Sequence, residues 1–149
     1  MKSQFIDNPS GPGNTASMTT ENKTVVQRAL AGLIETGDVE ALAQFLSEDF
    51  VHHRPDSTAS TKAQWLAAVR AALAPIAGMR VEIVHMLADG DHVVMHSRRR
   101  LPDAGPEIVV VDIWRIHDGL ISEGWEIIEP VAHAAANLVW WESTSAEAA

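Results

Sequence analysis

The chain has 149 residues, 46% of them hydrophobic, enough for one domain with a sizeable core and too few for two ordinary ones. A net charge of -9, from 20 acids against 11 Lys and Arg, opposes phosphate-backbone binding, so no nucleic-acid partner is expected. The absence of cysteine excludes disulfides, thiol nucleophiles and thiolate metal sites, and no stretch has the length of a membrane span or the layout of a signal peptide, so a cytoplasmic protein with no membrane contact is expected.

Residues 1–18 are rich in Ser, Gly, Pro and Asn without periodicity and read as a disordered leader. The domain proper is expected over residues 19–130. From Thr20 a helical pattern begins, with Val26, Leu30 and Leu33 on one stripe and a stop at Gly37. Asp38 caps a second helix through Leu42, Phe45 and Leu46, and the short Thr36-Gly37-Asp38 connection forces the two helices together. Phe50 to Pro55 reads as a short extended piece. Thr61 and Gln64 form a capping box for a third helix, whose buried stripe is Trp65, Val69, Ala72, Leu73 and Ile76. Four strands follow, Arg80–Leu87, His92–Leu101, Ile108–Ile116 and Leu120–Ile128, joined by turn-rich segments. Helices first and an antiparallel meander afterwards argue an α+β fold. Arg98, Arg99 and Arg100 alternate faces on their strand, so they do not make one basic patch. Residues 131–149 form a tail with a short helical segment, and Trp140-Trp141 there is expected to dock on something apolar.

The stretch Val109 to Glu129 carries the chemistry. Turn chemistry favours a three-residue loop, His117-Asp118-Gly119, which would set Ile116 opposite Leu120, Asp112 opposite Gly124 and Glu126 opposite Val110, so both carboxylates face one side. A two-residue Asp118-Gly119 turn would instead set Asp112 opposite Trp125 and send Glu126 to the other face. An ionised carboxylate on a β-branched strand is costly to bury unless paired, so that face is either ordinary wet sheet or the wall of a purposeful cavity.

The strings GDVEALAQFLSEDFVHH, VVVDIWRIHDGLI and EGWEIIEPV, with the helix-then-meander order, resemble the SnoaL-like polyketide cyclase group of the nuclear transport factor 2-like superfamily over roughly Thr20 to Glu129. The resemblance implies a cone in which a strongly curved sheet wraps a long helix around an apolar pocket, usually as a homodimer. His53-Arg54-Pro55 stands where the group often has His-Asn-Pro. In Glu123-Gly124-Trp125-Glu126, Gly124 replaces the usual His and Glu126 the usual Asp. The implied activity is proton removal next to a carbonyl, without a cofactor, leading to aldol cyclisation or isomerisation of a small hydrophobic carbonyl compound.

By that resemblance Glu126 is the general acid/base, and Asp112 the like-charged neighbour that would raise its pKa. His53, His96 or a Trp indole would donate to the enolate oxygen. The substrate wall is expected from His53, His96, Trp65, Trp114 and Gly124. Each has a plainer reading: an exposed His53, a His96 whose facing depends on the Asp89-Gly90 turn, and Trp65 and Trp114 as core. No His pair has i, i+4 spacing on an expected helix, since His92 and His96 fall on an expected strand, so no metal is expected. The alternative is a non-catalytic ligand-binding or dimerisation module of the same fold, which Gly124 in place of His favours and the retained acid pair opposes.

Overall fold

The computed structural model describes residues 12–140. Helix α1 (Pro12–Thr36) begins eight residues before the expected start at Thr20. Proline suits a first helical position, since its missing N–H has no partner there in any case. The rest of the expected leader, residues 1–11, lies outside the described residues. Gly37, at φ +63°, ends α1, and Thr36 and Asp38 reverse the chain. The Asp38 carboxylate accepts from the Glu40 N–H at 2.9 Å, capping α2 (Val39–Ala43). A Cβ on Gly32 would sit 3.3 Å from the Ala41 Cβ, so the tight connection brings the helices into contact there.

Leu46 belongs to β1 (Leu46–His53), not to the second helix as the periodicity suggested. It stands opposite Ile121, for β1 lies parallel to the last strand, and the Ile121 N–H donates to the adjacent Phe45 carbonyl at 2.8 Å. A three-residue strand, β2 (Ala59–Thr61), pairs with β1 and leads into α3 (Lys62–Ala72). The Thr61–Gln64 capping box is present, with Gln64 Oε1 accepting from the Thr61 N–H at 2.9 Å. Strands β3 (Arg80–Asp89), β4 (His92–Arg100), β5 (Glu107–His117) and β6 (Leu120–Pro130) form the antiparallel meander, and the curved, unclosed sheet has the order β2-β1-β6-β5-β4-β3. The tail forms a four-residue helix, α4 (Ala134–Asn137), between two 3₁₀ turns; the side chains of Trp140 and Trp141 lie outside the described residues.

The sheet's inner face and the helices share one core. It contains Val26 and Ala29 of α1, Leu42 of α2, Phe50 of β1, Trp65 of α3, and Val93, Trp114, Ile116 and Ile121 of the meander. No helix among the described residues is long and apolar enough to cross a membrane.

The β5–β6 register corrects both sequence alternatives. The turn is the two-residue one, with Asp118 and Gly119 at φ +49° and +75° between His117 and Leu120, the positive-φ pair of a type I′ turn. A bulge then restores the parity that this turn would have lost. Ile116 pairs with Ile121 and Arg115 with Glu123, leaving Ser122 extra, its hydroxyl donating to the Arg115 carbonyl at 3.2 Å. Two one-residue shifts return side chains to the face they would have had with none. Asp112 is therefore directly opposite Glu126, rather than Gly124, and Gly124 is opposite Trp114.

Candidate functional site

Alternation along β5 turns Val110, Asp112, Trp114 and Ile116 inward, and all four are buried. Between this face, α1 and α3 lies an apolar cavity of about 600 Å³ whose lining includes Leu30, Leu33, Trp65, Val69 and Met95. Among the described residues its charged lining consists of Asp112, Glu126, Arg99 and Arg54. The two acids are cross-strand partners, roughly 5 Å apart at Cβ.

Asp112 is 2% exposed, and its Oδ2 accepts from Arg99 Nη2 at 2.9 Å. Burial pushes its carboxyl up to about 7; the Arg99 guanidinium pulls the other way, and the Glu126 charge adds to the rise. Desolvation wins because one guanidinium, bonded to one oxygen, does not replace the water shell of a carboxylate. Arg99 also donates from Nε to Ser97 Oγ at 3.2 Å, which fixes its fork over the acid. Glu126 lies beside Arg54, with Nε to Oε1 at 3.8 Å, and its side chain is 16% exposed. The two arginines were not legible as site residues. For Arg99 the signal was its place in the Arg98-Arg99-Arg100 run, where alternation turns one guanidinium inward.

The other expected site residues divide. Trp65 and Trp114 line the cavity. Gly124 does not; a Cβ there would come within 2.5 Å of the Trp114 ring, so its role is to admit that ring. His53 faces the other side of the sheet, stacked on Trp125 and bonded through Nε2 to Glu123 at 2.8 Å. Strand alternation explains this, since its neighbour His52 takes the inner position. His96 is also on the outer face, its Nδ1 3.0 Å from that of His85 across β3 and β4. The hairpin between those strands is the two-residue one, Asp89 pairing with His92.

His52, and not the expected His53, is the inner histidine of β1. It is 1% exposed, stacks on Trp65 with ring centres 5.0 Å apart, and has no hydrogen-bond partner for Nε2 among the described residues. Burial, with the Arg54 and His53 charges, lowers its pKa to about 4, so it is a neutral ring at physiological pH. Among the described residues, no three His, Asp or Glu side chains converge to hold a metal.

Residues 26–124 match the SnoaL-like domain family model. Solved structures with the same fold include a candidate ketosteroid isomerase from Kribbella flavida, 21% identical, covering 76% of this chain and 81% of that one at a TM-score of 0.65. A candidate SnoaL-like polyketide cyclase from Jannaschia sp. CCS1 is 16% identical, with coverage of 88% and 95% and a TM-score of 0.67. An M. tuberculosis LEH-like epoxide hydrolase is 17% identical, with coverage of 84% and 99% and a TM-score of 0.63. A comparison with curated protein sequences finds no match. With two thirds of its length inside the family model, on a curved α+β cone with an acid pair facing its apolar cavity, the chain belongs to the SnoaL-like family of the nuclear transport factor 2-like superfamily.

Proposed function

We propose that the protein is a cofactor-independent enzyme that removes a proton next to the carbonyl of a small hydrophobic compound, leading to isomerisation or aldol cyclisation. The observation that carries this reading is the cross-strand pairing of Asp112 with Glu126 on the wall of an apolar cavity. A pair of acids held in unlike environments divides naturally into an acid and a base. Asp112, with its carboxyl near 7, is the proton donor: Oδ2 is held by Arg99, and Oδ1 is left to hydrogen-bond a substrate carbonyl oxygen. Glu126 is the base. Its carboxylate takes the α-proton, the carbon–hydrogen electron pair moves into the enolate, and Asp112 gives its proton to the oxygen.

Arg99 then stabilises the Asp112 carboxylate that remains. In an isomerisation Glu126 returns its proton to a different carbon and the enol proton goes back to Asp112. In a cyclisation the enol proton returns to Asp112 as the α-carbon attacks a second carbonyl of the same molecule, whose π electrons move to its oxygen and take the proton held by Glu126. The apolar walls supplied by Leu30, Leu33 and Val69 keep bulk water from competing for the enolate.

Hydrogen–deuterium exchange tests the reading without knowledge of the product. In D2O the protein should accelerate exchange at the α-carbon of one or more hydrophobic ketones, such as 1-tetralone or a steroid 3-ketone. Glu126→Gln and Asp112→Asn should each reduce that rate by about 10²–10⁴-fold. Binding of these ketones without any accelerated exchange would leave the non-catalytic ligand-binding module as the function.

A further inference from the structure

A second cleft, of about 300 Å³, is lined by Arg80, Glu82, Arg98, Arg100 and Glu107 and shares Val81 and Arg99 with the lining of the apolar cavity. The sheared end of the meander explains this adjacency. At the start of β3, the end of β4 and the start of β5, side chains alternate across one rim. Val81, Arg99, Leu101 and Ile108 line the cavity, while their neighbours Arg80, Arg98, Arg100 and Glu107 line the cleft.

The register places Arg80 directly opposite Arg100, a like-charge cross-strand pair that is unfavourable by itself. Arg98 and Arg100 both turn to Glu107, donating at 2.9 and 3.2 Å to its two oxygens. Arg80 pairs with no carboxylate among the described residues, and Glu82, the cross-strand partner of Arg98, pairs with no cation there. The cleft is thus left with a surplus guanidinium, Arg80, facing a second guanidinium whose carboxylate is shared. This occurs in a protein whose net charge is -9. Behind the rim the two arginines of the cavity lining are already paired, Arg99 with Asp112 and Arg54 with Glu126, so neither is free for an anion that enters head first.

We propose that the compound bound in the cavity carries an anionic headgroup, a carboxylate or a phosphate, which stays at the rim between Arg80 and Arg100 while its hydrophobic body extends inward. Asp112 is four residues along β5 from the rim residue Ile108, about 13 Å at the rise of a strand, so the reacting carbonyl lies at that distance from the headgroup. The inference rests on the reading of the cavity as the substrate site and adds the charge and length of the substrate to it.

Quenching of tryptophan fluorescence at pH 8, on the full chain, tests it with decanol, decanoate and decyl phosphate as probes. The wild type should bind at least one of the two anions about tenfold more tightly than decanol, and whichever is tighter identifies the headgroup. The advantage should vanish in the Arg80→Gln/Arg100→Gln variant with decanol affinity unchanged, and increase in Glu82→Gln, which leaves both arginines in place. Decanol binding without an anion advantage in wild type, or an advantage that survives the double substitution, overturns the headgroup site while leaving the cavity reading intact. Failure of all three probes to bind the folded protein overturns both.

Discussion

Replacing Asp112 with Asn removes the ionisation whose cost dominates the site while keeping nearly the same shape. The carboxyl goes from 3.8, its ordinary value, to about 7 in the fold, chiefly through burial. Its folded pKa is raised, so the folded state holds the proton more tightly between these values. The resulting stability is fully present below about 3.8 and is gone above about 7. Over the whole interval this amounts to about 4 kcal/mol at 1.36 kcal/mol per pH unit. Between pH 5 and pH 8 the wild type should lose about 2.5 kcal/mol that Asp112→Asn does not, because the amide does not titrate. Urea melts of both proteins at the two pH values, at one fixed protein concentration, give the double difference, in which titrating groups that do not interact with Asp112 cancel. In thermal melts the same difference should be on the order of 10 °C. If the two proteins change in parallel, Asp112 is ionised throughout and Arg99 outweighs desolvation. In that case Asp112 cannot be the proton donor.

The remaining expectations concern the aromatic layer, the outer face and the tight packing at position 124. His52 has its folded pKa lowered from 6.5 to about 4, so its stabilising effect is present above 6.5 and is lost as pH falls through 4. His52→Phe should remove about 3 kcal/mol of this acid lability, and an unchanged acid unfolding midpoint would contradict it. Gly124→Ala places a Cβ 2.5–2.7 Å from the Trp114 ring and should destabilise by about 1–3 kcal/mol, with a change in near-ultraviolet circular dichroism; an unperturbed spectrum would show that the ring yields freely. On the outer face Ile127 is 51% and Leu87 61% exposed, beside half-buried Val94, Val111 and Ile113. We propose that a second copy covers this surface. Light scattering should give a dimer mass that Ile127→Lys reduces to a monomer, and a monomer mass for wild type at micromolar concentration would refute it.

Local patterns in the sequence determined much of this protein. The Thr61–Gln64 box, the Gly37 stop and the alternation in Ile108–Ile116 each act within a few residues, so the start of the third helix, the end of the first, the strands and the α+β order were legible without a fold. The sharing of one face by Asp112 and Glu126 was also expected, although through a register that the molecule does not use and without deciding whether that face is wet or buried. Tertiary structure decided the rest. The bulge at Ser122 is set by the pairing of Ile121 and Glu123 with β5, and nothing in the local string marks which residue is left over. Leu46 has the period of a helix but becomes strand because β6 lies alongside to pair with it. The exchange of His53 for His52 at the inner position follows from the phase in which β1 pairs with a strand 70 residues later. The same applies to the acids: only the fold brings Arg99 to Asp112 and Arg54 to Glu126, and the depth at which each acid sits decides which of them is held near neutrality. Burial and cross-strand partnership depend on residues far apart in the chain, which is why composition and periodicity could locate the two carboxylates but not assign them unlike roles.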